Sequence, residues 1–194
     1  MDLHEEALSR FAEEFKAAAL CGLKEPTAVT VATASAAGRP SVRTVLLKSF
    51  DRHGFVFYTN LQSHKGREIS ENPKVALCFY WGPLAQQVIV EGDASLVSDA
   101  EADAYWSSRE RESQIGGWAS LQSRPLADRA EFLARIAKFE TEYASRPVPR
   151  PPHWTGVRVA ASRIEFWKGM AHRLHERTLY EKSGQVWTKI LLYP

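Results

Sequence analysis

The sequence predicts a mainly β fold with flanking helices, in which roughly six to eight strands form a barrel or a strongly curved sheet. Two observations support this prediction. Three β-rich runs between residues 28 and 59 are joined by short turns that contain glycine, which favours an antiparallel meander over βαβ units. Four more β-rich runs follow a proline-rich connection near the C-terminus. A barrel is the more attractive form because it removes free strand edges.

The overall composition is that of a soluble globular protein. The chain has 194 residues, of which 44% are hydrophobic and 25% are charged, and this length suffices to bury a core. We expect a single domain over residues 1–194, with an N-terminal helix within 1–24, a helical insertion at 98–145 and C-terminal strands at 155–194.

Charge and cysteine usage argue against several classes of function. The net charge of +2 gives no reason to expect nucleic acid or a membrane surface as a partner. No apolar run approaches membrane-spanning length, and the N-terminus lacks a signal-peptide pattern, so the predicted compartment is the cytoplasm. Cys21 and Cys78 match no metal or redox spacing, so both are expected to be small core residues and no metal site is predicted.

Hydrophobic periodicity assigns the elements of the N-terminal half. Apolar residues recur at a helical period between Leu3 and Leu20, which predicts an amphipathic helix. Ser63 is placed to cap a short helix that ends near Pro73. The predicted elements are a helix at 2–21, strands at 28–33, 41–50 and 55–59, a helix at 64–71 and a strand at 74–81.

The C-terminal half contains two further helical patterns. Ser98 is a capping residue for the first, and apolar residues from Leu126 to Tyr143 lie near a 3.6-residue period in the second. The prolines of 146–152 predict an extended connection. The predicted elements are a strand at 86–97, helices at 99–109 and 123–144, and strands at 157–161, 164–167, 174–181 and 186–192.

The stretch 164–177 carries a dense group of functional side chains. If a strand resumes at Arg173, alternation places Arg173, His175 and Arg177 on one face. Two guanidinium groups beside an imidazole suit an anion next to a group that titrates near neutral pH. A solvated basic strand face fits the same pattern.

Two basic residues stand among apolar neighbours in the predicted strand 41–50. Arg43 and Lys48 would each need a partner or a ligand if they are buried. Their spacing directs them to opposite faces of a regular strand, so a bulge or two different ligands would be needed for both to act. Alternatively, each reaches solvent at a strand end.

Residues 63–67 predict an anion site at the start of a helix. His64, Lys65 and Arg67 lie where backbone N–H groups are unpaired, a combination that suits a phosphate. His64 and Arg67 share a helical face because they are three residues apart. Positive charge at a helix N-terminus opposes the helix dipole, and a bound anion would remove that conflict. A solvated basic turn is the alternative.

Tyr105, Arg109 and Ser113 follow one another at intervals of four residues. On one helix they would form a stripe, so that a phenol, a guanidinium and a hydroxyl could converge on one anion. The same pattern permits a surface stripe. The following segment, 113–123, is rich in small polar residues and fits a binding loop.

Several segments together resemble the pyridoxine/pyridoxamine 5′-phosphate oxidase family, in that family's order and from about residue 25 to the C-terminus. They are Arg43–Lys48, Phe57–Asn60, Ser63–Lys65, Gln86–Val88, Ser113–Gly116, Gln122–Ser123, Glu165–Trp167 and Arg173–Arg177. The resemblance implies an FMN-binding split β-barrel and a homodimer, with one FMN in each of two clefts at the subunit interface.

The resemblance also implies the site residues. FMN would be held by Arg43, Thr44, Val45, Leu46, Leu47, Lys48, Tyr58, Thr59, Lys65, Gln87, Gln122, Ser123, Trp167 and Arg177. The substrate's 5′-phosphate would be bound by Lys48, Tyr105, Arg109 and Ser113, and the pyridine ring would be lined by Arg173, Leu174 and His175. Arg173 and His175 are the catalytic candidates, since they would orient the ring and assist removal of the C4′ proton.

The implied reaction is the oxidation of pyridoxine 5′-phosphate and pyridoxamine 5′-phosphate to pyridoxal 5′-phosphate. O2 is the acceptor, H2O2 is released, and the amine also yields ammonia, the hydride chemistry being that of the flavin. One alternative is a related split-barrel flavin oxidase that acts on another small aromatic substrate, as in phenazine biosynthesis. Another is a non-catalytic module that binds FMN or pyridoxal phosphate. The phosphate-binding set favours a phosphorylated substrate.

Three features depart from the family's pattern. His64 stands where arginine is usual near the FMN phosphate, and we expect Arg67, one turn along the helix, to replace it in part. Gly169-Met170-Ala171 stands where Gly-Gly-Glu is usual, which leaves substrate specificity open. The region before residue 25 is shortened, so a segment that can cover the active site is expected to be missing.

Overall fold

The computed structural model describes residues 2–194, and it confirms a mainly β fold with flanking helices. The described chain has nine strands in one antiparallel sheet, compared with the roughly six to eight expected for the barrel. The strands are β1 (Ala28–Ala34), β2 (Pro40–Leu46), β3 (Ser49–Asp51), β4 (Gly54–Asn60), β5 (Lys74–Trp81), β6 (Gln86–Leu96), β7 (Trp154–Lys168), β8 (Glu176–Ser183) and β9 (Val186–Leu192). The helices are α1 (Leu3–Leu20), α2 (His64–Glu71), α3 (Asp99–Ser107), α4 (Arg111–Ala119) and α5 (Arg129–Glu142).

The predicted strand 41–50 is broken into two strands, β2 and β3, and this break allows the sheet to close. The strand order is β2-β1-β5-β6-β7-β4-β3, so β2 and β3 lie at opposite ends of the series. The backbone N–H of Leu47 donates to the Thr27 carbonyl at 2.8 Å, and that of Lys48 donates to the Val56 carbonyl at 2.9 Å. The prediction of one strand is therefore wrong, because its two halves pair with different neighbours. Their connection brings the two ends of the sheet together.

Strand β7 is the longest strand and determines where the sheet divides. It pairs with β6 along one edge, while its other edge pairs first with β4 and then with β8. The predicted strands 157–161 and 164–167 are thus one strand, with a register shift opposite Glu91 and Gly92. A Cβ at Gly92 would lie 2.0 Å from the Ala160 carbonyl oxygen, so this crossing requires glycine.

Helix α1 packs against the interior of the curved sheet. Asp2 caps the helix, and Phe11 is fully buried. The Phe11 ring meets the rings of Phe50, Phe55 and Phe79 edge to face, with centroids 4.8, 4.9 and 5.1 Å away. Such contacts contribute about 0.5–1.5 kcal/mol each beyond area burial. The apolar stripe read from the sequence is therefore a core stripe.

The helical insertion is divided differently from the prediction. The predicted helix 99–109 ends at Ser107, because Glu110 has extended backbone angles and a new helix starts after it. Helix α4 occupies most of the predicted loop 113–123, and the predicted helix 123–144 begins only at Arg129. There the Asp128 side chain accepts a hydrogen bond of 2.8 Å from the Glu131 N–H, a standard helix cap.

The segment between β7 and β8 is a turn rather than part of a strand. Residues Ala171–Arg173 form a single 3₁₀ turn, and His172 and Arg173 have φ values of 56° and 62°. The predicted strand at 174–181 begins at Glu176, so strand alternation does not apply to Arg173 or His175. The prediction that these two share a strand face with Arg177 is wrong for this reason. Among residues 2–194, no helix is both long and apolar enough to cross a membrane.

Candidate active site

A cavity of about 790 Å³ opens where β2, β4 and the start of β7 meet the helical insertion. Its wall combines residues that lie far apart in the sequence. The predicted site residues that line it are Thr44, Val45, Leu46, Lys48, Tyr58, Thr59, Lys65, Tyr105, Arg109, Ser113 and Gln122. Asn60, Glu110, Gly116, Gly117, Ser120 and Trp154 complete the lining.

The break between β2 and β3 determines which way the side chains of Arg43 and Lys48 point. Because Lys48 lies beyond the end of β2, it no longer follows that strand's alternation and it lines the cavity. Arg43 instead donates to Ser41 on its own strand and to Thr33 on the paired strand β1. Leu47 is 4% exposed and belongs to the hydrophobic core. Of these three predicted cofactor residues, only Lys48 faces the cavity.

Stacked aromatic rings form one wall of the cavity. The Tyr58 ring stacks on those of Tyr105 and Trp154, with centroids 4.0 and 5.1 Å away. Gly156 makes this possible, because a Cβ there would lie 2.9 Å from the Tyr58 ring and 2.8 Å from Val97. A flat, apolar wall of this kind suits a planar aromatic ligand.

Arg109 presents a half-buried cation to the cavity from the turn between α3 and α4. Its guanidinium carbon lies 4.9 Å from the centre of the Trp154 ring, and its Nη2 donates to the Ser113 carbonyl at 3.2 Å. Its Nε is buried and has no hydrogen-bond partner among the described residues. Burial lowers the pKa of Arg109, and Tyr105 partly opposes this shift. Because the guanidinium is incompletely paired, it fits an anionic ligand.

Tyr105, Arg109 and Ser113 do not lie on one helix, so the prediction that they form a helical stripe is wrong. Tyr105 lies on α3, Arg109 in the connecting turn and Ser113 on α4. All three nevertheless line the same cavity. The chain changes direction at Glu110, and this brings Ser113 back towards Arg109. The three residues are therefore brought together by the turn and not by the regular spacing of one helix.

Lys65 is the second buried cation of the cavity. It is 9% exposed, and its Nζ donates to Thr59 Oγ1 and Gln122 Oε1, both at 3.2 Å. Burial, followed by the positive charge of Arg43, lowers the pKa of Lys65 to about 8. Its two partners are neutral, so an anion would stabilise the charged form of this amine.

The start of α2 is fixed tightly against the sheet. Ser63 Oγ accepts from the Gly66 N–H at 3.2 Å, and a Cβ at Gly66 would lie 2.4 Å from the Leu61 carbonyl oxygen. His64 Nε2 lies 2.8 Å from a carboxylate oxygen of Glu68. Arg67 points elsewhere, donating to the Gln62 carbonyl at 2.5 Å and lining a separate groove. The structure therefore brings His64 and Arg67 to different places, although both lie on α2.

The remaining predicted residues form a second group, which we call the strand-end cluster: Gln87, Trp167, Arg173, Leu174, His175 and Arg177. Gln87 pairs in register with Trp167, which pairs in turn with Arg177. The buried carboxylate of Glu165 accepts from Arg177 at 2.8 and 2.7 Å. None of the six lines the cavity described above. They meet at the end of the sheet where β6 begins and β7 ends.

The orientation of His175 is set by the backbone. Its ring lies 4.7 Å from the Trp167 ring, and its Nδ1 accepts a hydrogen bond of 3.2 Å from the Met170 N–H. When the imidazole is neutral, Nδ1 is therefore the acceptor and the proton sits on Nε2. Arg173 and Leu174 are exposed beside it.

The cavity and the strand-end cluster lie at opposite ends of β7. Trp154 lines the cavity and Trp167 belongs to the cluster, 13 residues further along the same strand. At about 3.3 Å per residue, this separation is roughly 40 Å along the strand. Within one chain, the two groups of predicted site residues are not brought to one ligand.

Ser123 lies outside both groups. It has a φ of 69° and lines a separate cleft of about 270 Å³ between α4 and α5. Gln122 borders this cleft as well as the main cavity.

Two acidic residues to which the sequence assigned no role support the predicted basic ones. Glu68 holds His64 and Arg43, and Glu165 holds Arg177. Both could have been found from the sequence. Glu68 follows His64 by four residues on a predicted helix, and Glu165 interrupts an otherwise apolar strand, where a charge needs a partner.

Comparisons with known proteins show the family of the chain. The sequence matches the family described as "Pyridoxamine 5'-phosphate oxidase" over residues 15–143. Residues 154–194 match the "Pyridoxine 5'-phosphate oxidase C-terminal dimerisation region".

Individual relatives are similar over almost their whole length. The chain is 56% identical over 187 residues to the pyridoxine/pyridoxamine 5′-phosphate oxidase of Myxococcus xanthus, covering 96% of this chain and 91% of the relative. It is 53% identical over 196 residues to the enzyme of that name from Alkalilimnicola ehrlichii, with both chains covered completely.

Solved structures share the fold. PhzG from Burkholderia lata, in complex with tetrahydrophenazine-1-carboxylic acid, superposes with a TM-score of 0.91 at 32% identity, covering 96% of this chain and 92% of PhzG. An FMN-binding protein from Nostoc punctiforme that is related to pyridoxamine 5′-phosphate oxidase has a TM-score of 0.70 at 20% identity, covering 87% of this chain and 88% of its own. The predicted split-barrel fold is confirmed by these likenesses.

Proposed function

Because the chain belongs to the pyridoxamine 5′-phosphate oxidase family, we propose that it oxidises pyridoxine 5′-phosphate and pyridoxamine 5′-phosphate to pyridoxal 5′-phosphate. FMN is the cofactor and O2 the electron acceptor, with H2O2 as product and ammonia as a second product from the amine. The observation that carries this proposal is the half-buried Arg109 side chain, which lines the cavity and whose buried Nε has no hydrogen-bond partner among the described residues.

The cavity fits two phosphorylated ligands. It contains two cations, the buried Lys65 and the half-buried Arg109, and burial is the main cause that lowers the pKa of each. FMN carries one phosphate and the substrate carries another. Lys65, with Thr59 and Gln122 beside it, is assigned to the FMN phosphate. Arg109, with the remaining set of Lys48, Tyr105 and Ser113, is assigned to the substrate phosphate.

The active site is composed from two copies of the chain. The match of residues 154–194 to a dimerisation region supports a homodimer, and Ile190, Leu191 and Tyr193 are exposed apolar residues within that region. The strand-end cluster of one subunit meets the cavity of the other, because β7 separates them within a single chain. Two-fold symmetry then gives two equivalent sites.

The residues of the cavity anchor the substrate. Bound FMN supplies the redox chemistry, since it accepts a hydride and passes the electrons to O2. Arg109 and Lys48 bind the substrate phosphate, away from the reacting C4′ carbon, so their binding energy is used for orientation. The ring of Tyr58 presents a flat surface to an aromatic ligand.

The strand-end cluster contributes the groups nearest the pyridine ring. His175 holds a proton at Nε2 in its neutral form, because Nδ1 already accepts from Met170. It therefore acts as a hydrogen-bond donor to the substrate in that form. Arg173 is exposed and donates from the adjacent turn. These two remain the proposed catalytic residues, with Leu174 against the ring, while Gln87, Trp167 and Arg177 face the flavin.

A phenazine-type oxidase is the second candidate, supported by the close superposition with PhzG. The two candidates differ in whether the substrate carries a phosphate. A cavity with a half-buried, incompletely paired arginine favours the phosphorylated substrate.

Oxygen consumption tests the proposal directly. The FMN-loaded protein is assayed with pyridoxine 5′-phosphate, pyridoxamine 5′-phosphate and unphosphorylated pyridoxine. Turnover of the two phosphates, with kcat/KM at least about 100-fold below theirs for pyridoxine, is expected from the loss of charged hydrogen bonds. Equal turnover with and without the phosphate would contradict it. A protein that cannot be loaded with FMN would contradict every flavoenzyme assignment.

A cytoplasmic location also belongs to this proposal. It is supported by the metabolic activity named for the relatives. Recovery of the protein in the cytosolic fraction of its host is the expected result of cell fractionation.

A further inference from the structure

Glu68 is a buried carboxylate that links two basic residues beside the cavity. It lies on the second turn of α2 and is 5% exposed. Its Oε1 accepts from His64 Nε2 at 2.8 Å, and its Oε2 lies 3.3 Å from Arg43 Nη2. A single acidic side chain therefore contacts basic side chains from two different elements, α2 and β2.

Two hydroxyl groups complete the environment of this carboxylate. Thr33 Oγ1 donates to Oε2 at 2.5 Å and Ser41 Oγ at 2.6 Å. Thr33 and Ser41 are register partners on β1 and β2, and both also accept from Arg43. Arg43 is thus held from two sides, by the hydroxyls and by Glu68. Its side chain has one well-defined position, fixed by groups that do not depend on a ligand.

Desolvation alone would raise the pKa of Glu68. Hydrogen bonds from Ser41, Thr33 and His64 outweigh it and hold this pKa at about 2. The carboxylate is consequently charged at every pH at which the protein is used. A permanent negative charge next to a phosphate site is unfavourable by itself, so its presence calls for a compensating role.

That role follows from the neighbouring basic residues. Arg43 and His64 meet at Glu68, Lys65 follows His64 in the first turn of α2, and the charge of Arg43 is close enough to lower the pKa of Lys65. Without Glu68, Arg43 would lose the carboxylate partner with which it forms an ion pair, and its repulsion of Lys65 would be uncompensated. With Glu68, Arg43 and His64 are held in place beside Lys65, whose own partners are neutral.

We propose that Glu68 is a positioning residue for the FMN phosphate, which it serves by fixing Arg43 and His64 beside Lys65. This inference rests on the proposed function, because it takes the anion at this position to be the phosphate of FMN. Glu68 itself does not contact the cofactor. Its contribution therefore depends on the presence of a phosphate, unlike that of a residue that only stabilises the fold.

Paired titrations with FMN and riboflavin test this inference. The full-length protein is stripped of flavin, and the dissociation constant of each flavin is measured by fluorescence quenching for the wild type and Glu68→Gln. Glu71→Gln is the matched control, because Glu71 is an exposed glutamate on the same helix. We expect Glu68→Gln to weaken FMN binding by about tenfold, as for the loss of a charged hydrogen bond. Riboflavin binding and both flavin affinities of the control should be unchanged.

The other outcomes overturn the inference. Unchanged or tighter FMN binding by Glu68→Gln would show that the carboxylate does not position the phosphate-binding groups. An equal loss for both flavins would show a structural role only. If Glu68→Gln does not fold, Ser41→Ala replaces it, with a loss of about threefold expected for FMN alone. A wild-type protein that binds FMN no more tightly than riboflavin would instead contradict the proposed phosphate site itself.

Discussion

The cavity and the strand-end cluster are built in opposite ways. Cavity residues such as the buried Lys65 and the half-buried Arg109 lie on a helix or a tight turn and are held by hydrogen bonds to neighbouring side chains or backbone. In the strand-end cluster, Arg173 and Leu174 are exposed on a turn in which two successive non-glycine residues have positive φ. Beside this turn, His175 accepts from the Met170 N–H and Arg177 donates to Glu165.

This difference indicates that one chain contains a preformed pocket and an incomplete partner for it. Under the proposed assignment, the pocket would bind phosphates with groups that are already in place, whereas the exposed turn would obtain its remaining contacts from the ligand or the second subunit. Two adjacent left-handed residues are unfavourable by themselves, at about 1–3 kcal/mol each, and such strain is usually retained at functional sites. Variants in the two regions should therefore fail in different ways.

The largest effect is expected from Arg109→Ala in the cavity. Removing the half-buried guanidinium takes away charged hydrogen bonds to the substrate phosphate, so kcat/KM for pyridoxamine 5′-phosphate should fall by about 100-fold. Activity with unphosphorylated pyridoxine should not change. Steady-state oxygen consumption measures both, with Arg129→Ala, an exposed arginine at the start of α5, as the control. Equal losses on both substrates would contradict the assignment of Arg109.

In the strand-end cluster, His175→Asn should lower kcat rather than weaken binding. The asparagine oxygen can still accept from the Met170 N–H, but the distal N–H is lost. We expect kcat to fall by about 30-fold, within the range of one positioned donor in a reaction. The FMN dissociation constant should stay at the wild-type value. His175→Gln, whose longer amide can place an N–H near the position of Nε2, should recover part of kcat. Full activity of His175→Asn would exclude a donor role.

The pH dependence of FMN binding distinguishes the contribution of Lys65 from that of Arg43, because Lys65 loses its charge near pH 8. The unliganded protein has a Lys65 pKa of about 8, while a bound phosphate favours the protonated amine. Binding above pH 8 therefore takes up a proton, and affinity should fall as pH rises, by at most about tenfold per pH unit. Lys65→Arg keeps its charge and should remove this slope between pH 7.5 and about 9.5. A wild-type affinity that stays constant over this range would contradict the assignment of Lys65.

The smallest effects are expected at two adjacent glycines of α4, where alanine substitutions should change the free energy of unfolding in opposite directions. A Cβ at Gly116 meets no atom within 4 Å, whereas one at Gly117 would lie 2.8 Å from the Trp106 ring. Gly116→Ala should raise the free energy of unfolding of the flavin-free protein by about 0.5–1 kcal/mol, because alanine favours the helix. Gly117→Ala should lower it by about 1–3 kcal/mol through overpacking. Urea unfolding measures both, and equal effects would contradict the close packing of Gly117 against Trp106.

Local features of the fold follow from the sequence where a short segment decides them. Ser63 caps α2 as its hydroxyl and spacing predict, and the N-terminal apolar period marks the buried face of α1. The strands β1, β4, β5 and β9 begin and end within a residue of their predicted positions. In each case the chemistry of a few neighbouring residues determines the result.

Features that depend on distant residues could not be predicted in this way. The break at Leu47 and Lys48 arises because β2 and β3 pair with different strands, which no local pattern shows. Helix α4 was missed because its glycines and serines are typical of a loop. The environment of Glu68 depends on Thr33 and Ser41, which lie more than 25 residues away in the sequence.

The spacing of residues in the sequence likewise does not show that the predicted site residues fall into two separate groups. The family resemblance implies one site that contains both the cavity residues and the strand-end cluster. The length of β7 shows that the two groups are far apart within a single chain.

Complementation between two inactive variants tests this division most directly. Arg109→Ala carries a defective cavity and His175→Asn a defective strand-end cluster, so either homodimer has two defective sites. The two chains are co-expressed with different affinity tags, and the heterodimer is purified through both. In it, one site combines both substitutions and the other has neither, so the account predicts about half of the wild-type activity with pyridoxamine 5′-phosphate. Activity that stays at the level of the parent variants would show that both groups serve the same chain's site, and would contradict the account.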